Sequence, residues 1–281
     1  TFYYYWNITV TTKRASRIRR PGEMIQSDFS KILDPEDPPS FEWLNRDGKS
    51  NLLIVCDHGG REIPKKLNGL GLSDSKRSAH ISWDIGARKI AVLLSKAFDA
   101  PMISGCYSRL VYDLNRYPWD PTVMAQVSDC VEIPGNANLT WPARQRRYDE
   151  IAQPYYSQVF QQILEMKASS RSPTMISVHT MTGQLSGGDF RDEAFAVLSD
   201  PNDPISRQFL RALRNATDLP VGDNVPYELE SGIDFTVPEC AHRMGIPAIM
   251  FELRQDFTLD PKILSTRVDE IIKAIDECSL I

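Results

Sequence analysis

Short apolar runs alternate along this chain with amphipathic stretches of helical period. Asn51-Leu-Leu-Ile-Val-Cys-Asp57 is a buried-strand signal, closed by the loop pair Gly59-Gly60. Residues 84–98 then place Ile85, Ile90, Leu93, Leu94 and Ala97 at helical steps. Residues 101–107 and 110–114 read as two strands of a hairpin bent at Ser108-Arg109. Residues 117–141, rich in Pro, Asn and Gly, predict a long loop, a feature that in compact domains usually goes with function. Pro142 suits the first turn of a helix. Tyr148, Ile151, Tyr155, Val159 and Ile163 follow at helical spacing, with Pro154 set to bend the run. The pattern continues as strand 174–179, loop 180–192, strand 194–198, helix 202–216 and loop 218–232. It ends with short helix 234–244, strand 247–253 and helix 261–278, the last with Ile263, Val268, Ile271, Ile272 and Ile275 on one side.

Strand–helix alternation predicts an α/β fold whose largely parallel sheet is covered on both faces. A single catalytic domain is expected over 49–281. Asp34-Pro-Glu-Asp-Pro-Pro39 cannot run as regular helix or inner strand, so residues 22–48 read as a surface lead-in. Residues 1–21 carry five Lys or Arg and no acid, beside Phe2-Tyr-Tyr-Tyr-Trp6. With the lead-in they make 1–48 an N-terminal extension outside the core.

A formal charge of -5 argues against a sequence-independent nucleic-acid binder, which needs a basic footprint. No apolar run approaches the ~18 residues of a membrane span. The five cysteines form no C-x-x-C pair and suit a reducing compartment, so a cytoplasmic location is expected.

In an open α/β sheet, ligands bind at the carboxyl ends of the strands. His58 follows the first predicted strand, His179 ends another, Glu252 ends a third, and residues 109–116 read RLVYDLNR. Two histidines and a carboxylate delivered to one rim can hold a divalent metal, because a catalytic site needs three protein ligands and one open position. His58 and His179 are the expected ligands, with Asp84 as the third and Glu62 as its rival. Asp84 could equally cap the helix that follows it. Glu252 is the candidate general base, its bland alternative an ion pair with a nearby Arg. Arg109, Asn115 and Arg116 are expected to bind substrate carboxylates, which match a guanidinium fork. His80, Tyr227 and Arg254 complete the expected substrate-binding set, although His80 could instead orient Asp84 and Arg254 could instead pair with Asp256. No G-x-S-x-G elbow supports a serine hydrolase.

Several blocks resemble the N-formylglutamate amidohydrolase family. They are Cys56-Asp-His-Gly-Gly60 with Ile63-Pro64, His80-Ile-Ser-Trp-Asp-Ile-Gly-Ala87, and Tyr107-Ser-Arg-Leu-Val-Tyr-Asp-Leu-Asn-Arg116. Val178-His179, Gly222-Asp-Asn-Val-Pro-Tyr227 and Phe251-Glu-Leu-Arg-Gln-Asp256 follow in the family's order. The resemblance implies a three-layer αβα sandwich around a mixed sheet, of the zinc-exopeptidase (phosphorylase/hydrolase-like) kind shared with carboxypeptidases and aspartoacylases. It also implies one zinc ion, other divalent metals being possible, held by His58 and His179 with Glu252 as base. Carboxypeptidase-like sites place a Glu ligand three residues after the first His, where this chain has Arg61, so Asp84 and Glu62 both stay open. The implied reaction is hydrolysis of N-formyl-L-glutamate to formate and glutamate. A metal-dependent deacylase or carboxypeptidase acting on another N-acyl amino acid is the nearest alternative. A non-catalytic carboxylate-binding protein is the other.

Overall fold

The computed structural model describes residues 31–200, 202–229 and 232–278. Of the extension expected over residues 1–48, residues 1–30 lie outside the described residues. Among the described residues nine strands form in chain order: β1 Phe41–Leu44, β2 Leu52–Cys56, β3 Met102–Gly105, β4 Val127–Ser128, β5 Val131–Glu132, β6 Thr174–Met181, β7 Phe195–Leu198, β8 Val221–Asp223 and β9 Ala248–Arg254. The helices are α1 Asp74–Arg77, α2 Ala87–Phe98, α3 Trp141–Arg147, α4 Gln153–Ala168, α5 Pro204–Ala216 and α6 Pro261–Glu277.

Seven strands make one mixed sheet in the order β1-β3-β2-β6-β9-β7-β8, and β4 and β5 form a separate hairpin. The three central strands β2, β6 and β9 run parallel, so their carboxyl ends share one rim. β7 lies antiparallel to β9, and β1 antiparallel to β3.

Each central strand is buried along its whole length and feeds both faces by the two-residue period of extended chain. Leu52, Ile54 and Cys56 pack with α2, α5 and α6 on one side, beside Ile176, Val178, Ile249 and Phe251. Leu53, Val55, Met175 and Met250 pack on the other side with Tyr155, Val159 and Ile163 of α4. Helices therefore cover both faces of a mixed sheet, the three-layer α/β arrangement expected.

Three local expectations are corrected. Residues 41–44 were placed in the surface lead-in, yet they form an edge strand in register with 102–105. Residues 110–114 form turns in place of a second hairpin strand. β3 already has β2 on one side and β1 on the other, so no edge is open to them. Their backbone bonds elsewhere: Arg109 N–H donates to the Ser82 carbonyl and Asp113 N–H to that of Val123. On α6 the buried side carries Leu264, Val268, Ile271 and Ile275, while Ile263 is exposed. The helix expected from Pro142 runs from Trp141 to Ala168 with one wide turn, Tyr148–Ala152, just before Pro154. Proline brings no N–H to the helical ladder, which the wide turn accommodates.

Candidate active site

The two-residue period that sorts the core also aims the polar strand ends. Met175, Ser177 and His179 share one face of β6, and Met250 and Glu252 the same face of β9. Register pairs His179 with Glu252 across the parallel ladder, so the two side chains stand next to each other. Asp57 and His58 follow directly after β2. Gly60 lets this turn lie flat on the end of β3, where a Cβ would come within 2.1 Å of the Cys106 carbonyl oxygen. Asp84 reaches the same place from the segment before α2, its N–H donating to the His58 carbonyl at 3.0 Å. Gly86, with φ +92, is the cap of α2, which leaves the Asp84 carboxylate free of that duty.

One oxygen of Asp84 stands 2.8 Å from His179 Nδ1 and 3.3 Å from His58 Nδ1. One ligand atom from each of His58, Asp84 and His179 lies within 4.8 Å of the other two, and all three residues are buried. The opposite edge of each imidazole is backed by a carboxylate: His58 Nε2 by Asp113 at 2.7 Å, His179 Nε2 by Asp57 at 3.5 Å. Such backing fixes ring orientation and raises ligand basicity in metal sites. Tyr155 OH donates to Asp57 at 2.8 Å and holds that carboxylate in place.

The cluster gathers four carboxyl groups (Asp57, Asp84, Asp113 and Glu252) around its two imidazoles, with Arg109 pairing to Asp84 and Asp113. Burial works against charge on His179, yet its contacts with Asp57 and Asp84 push its pKa up to about 10. Burial would raise Asp84, but His58, His179 and Arg109 together hold it far below the usual carboxylate range. Glu252 goes the other way: burial first, then the Asp84 charge, raise it to about 7. A site that retains a proton so firmly has a field that favours a cation, and its N,N,O donor set suits a divalent metal ion.

The cluster opens into a cleft of about 520 Å³ lined by His58, Asp84, His179 and Glu252. Of the residues expected to bind substrate, Arg109, Asn115, Arg116, His80 and Tyr227 also line it. Several are engaged within the protein. Arg109 bridges Asp84 at 3.1 Å and Asp113 at 2.8 Å. Arg116 pairs with Asp234. Asn115 accepts from the backbone N–H groups of Phe235 and Thr236 and donates to Asp234. His80 stands 3.1 Å from Asp129, not beside Asp84. Tyr227 OH accepts from Arg191 at 2.6 Å.

Arg254, expected at the substrate, is not among the cleft-lining residues. It ends β9 two residues beyond Glu252 and donates to Asp256 at 2.8 Å and to the Arg191 carbonyl at 2.8 Å. Glu62 is exposed and bridges to Tyr107 along the strand direction, away from the cluster. Asp57 and Ser177, which contacts His179 Nε2 at 3.1 Å, were not singled out from sequence. For Asp57 the signal was adjacency to His58; for Ser177 it was the two-residue step before His179.

Comparison with known proteins follows the same residues. A family model described as N-formylglutamate amidohydrolase matches residues 50–259, from just before β2 to beyond β9. No curated protein matches the chain. Among solved structures, the gene product Atu2144 from Agrobacterium tumefaciens superposes with a TM-score of 0.83 at 29% identity, covering 89% of this chain and 100% of that one. N-formylglutamate amidohydrolase from Ralstonia eutropha JMP134 superposes with a TM-score of 0.56 at 13% identity, covering 86% and 98%, which is a likeness of fold. Since the matched span takes in every residue of the buried cluster and well over half the sequence, the chain belongs to the N-formylglutamate amidohydrolase family.

Proposed function

We propose that this protein is a metal-dependent amidohydrolase that cleaves the amide of an N-acyl amino acid, N-formyl-L-glutamate first among them. The observation that carries this reading is the buried His58–Asp84–His179 group with Glu252 in register beside it. His58 and His179 would present Nδ1, and Asp84 a carboxylate oxygen, to one ion, most simply zinc. When bound, such an ion lowers the pKa of a water toward about 7 and polarises an amide carbonyl.

The chain's own groups supply the rest. Asp57 and Asp113 hold the two imidazoles by their far edges, which keeps Nδ1 of each turned inward. Glu252, ionised, takes the proton of the attacking water and returns it to the departing nitrogen. A pKa near 7 suits both halves of that exchange at neutral pH. Arg109 fixes Asp84 and Asp113 relative to each other, and its exposed edge, with Arg116, Asn115, His80 and Tyr227, faces the substrate.

The test is release of formate from N-formyl-L-glutamate by protein stripped of metal and then reloaded with zinc. N-acetyl-L-glutamate and other N-acyl amino acids run in parallel separate a formyl hydrolase from a broader deacylase. Turnover that depends on metal supports the reading. Equal turnover after complete chelation, or none on any member of the panel, contradicts it.

A further inference from the structure

A carboxylate on the substrate needs a cation whose charge is not already balanced. Both arginines that line the cleft have acidic partners: Arg109 with Asp84 and Asp113, Arg116 with Asp234. A substrate carboxylate would have to displace these buried acids, and breaking a buried pair is costly. Arg191 stands differently. Its guanidinium donates to two neutral oxygens, the Thr182 carbonyl at 3.0 Å and Tyr227 OH at 2.6 Å, and it lies over the Tyr227 ring at 4.7 Å. No acidic partner of Arg191 is found among the described residues. Arg191 is itself not among the cleft-lining residues, but Thr182 and Tyr227, which its guanidinium touches, both line the cleft. Tyr227 lines this cleft together with Glu252 and Arg109, so the residue that Arg191 touches shares the cavity of the metal-ligand cluster.

We propose that Arg191, with Tyr227, is the anchor for a carboxylate of the substrate. The inference rests on the N-acyl amino acid reading given above and adds the residue that recognises the acid. It also explains the position of Arg254, which donates to the backbone carbonyls of Arg191 and Asp192 and closes on Asp256. Arg254 is a positioning residue: it holds the backbone that carries Arg191. The Arg191 N–H donates to the Gly183 carbonyl at 2.8 Å, which pins the same segment from its other side. Anchoring at this distance from the cluster is uniform binding, so its loss raises KM and leaves kcat nearly unchanged.

The experiment compares N-formyl-L-glutamate with its two mono-amides, the α-carboxamide and the γ-carboxamide, on wild type, Arg191→Ala and Arg191→Lys. Wild type is expected to disfavour one mono-amide through KM by about tenfold or more, as a charge-assisted bidentate contact requires. In Arg191→Ala that discrimination collapses and the parent acid and the disfavoured amide converge, while Arg191→Lys keeps part of it. A merely structural role for Arg191 would lower all three substrates together and keep their ratio, which overturns the proposal. Absence of turnover by wild type on all three would strike at the function itself. Glutarate titrated calorimetrically into wild type and Arg191→Ala then decides the anchor separately: weaker binding to the variant supports it, equal affinity overturns it.

Discussion

Glu252 sits in opposing fields: burial and the Asp84 charge raise its carboxyl, while His179, Arg109 and His58 lower it, and the balance lies near 7. A base must be ionised, and a raised pKa means that the ionised form appears only as pH climbs through that value. Activity is therefore expected to rise with pH through about 7 along a one-proton limb, read from a kcat/KM profile. Glu252→Gln keeps the shape and removes the proton acceptor, so kcat should fall by about a hundredfold or more with bound metal unchanged. Asp57→Asn and Asp113→Asn leave the ligands in place but weaken the support behind His179 and His58. Zinc affinity is expected to drop by roughly 10- to 100-fold in each, measured by competition with a chelating dye. Of these residues, sequence reasoning reached Glu252 through its place at a strand end. Asp113 is gripped by Arg109 four residues before it, but His58 lies on the same carboxylate and only folding brings that partner in.

Elements deliver these residues more faithfully than local pattern suggests. The strand ends of β2, β6 and β9 were legible because buried parallel strands are unbroken apolar runs with a polar residue at the exit. β1 was not legible, since Phe41-Glu-Trp-Leu44 is half-exposed and follows a proline-rich stretch, and only its pairing with β3 makes it a strand. The turns at residues 108–116 defeated the hairpin reading for a related reason: apolar residues there are buried by layers above the sheet, not by joining it. Leu110, Val111 and Tyr112 are as buried as strand residues, so composition could not separate the two. Of the paired glycines read as a loop, Gly60 lies directly against the Cys106 backbone. Gly60→Ala would drive a methyl group into that carbonyl and push the His58 turn off the rim. A loss of about 1–3 kcal/mol is expected from this overpacking, read from urea unfolding, together with weakened zinc binding.

At the scale of the molecule, the proposed cation would link one carboxylate and two imidazoles brought together from three separated parts of the sequence. Such a ligand stabilises the folded state by mass action: about 2.7 kcal/mol at a hundred times its Kd. For a domain of this size that corresponds to a rise in Tm of roughly 5–10 °C. The rise should appear on adding zinc to metal-free protein and vanish in His179→Ala, checked by calorimetric melting. Sequence alone put Asp84 ahead of Glu62 as the third ligand. Topology favours the same order, because the segment before α2 returns to the His58 carbonyl while Glu62 bridges to Tyr107. Anomalous diffraction at the zinc edge, from crystals of the zinc-loaded protein, tests the central claim most directly. A single peak is expected at about 2.0–2.2 Å from Nδ1 of His58, Nδ1 of His179 and a carboxylate oxygen of Asp84. A peak held by other residues, or no peak at this cluster in protein that still hydrolyses its substrate, would contradict it.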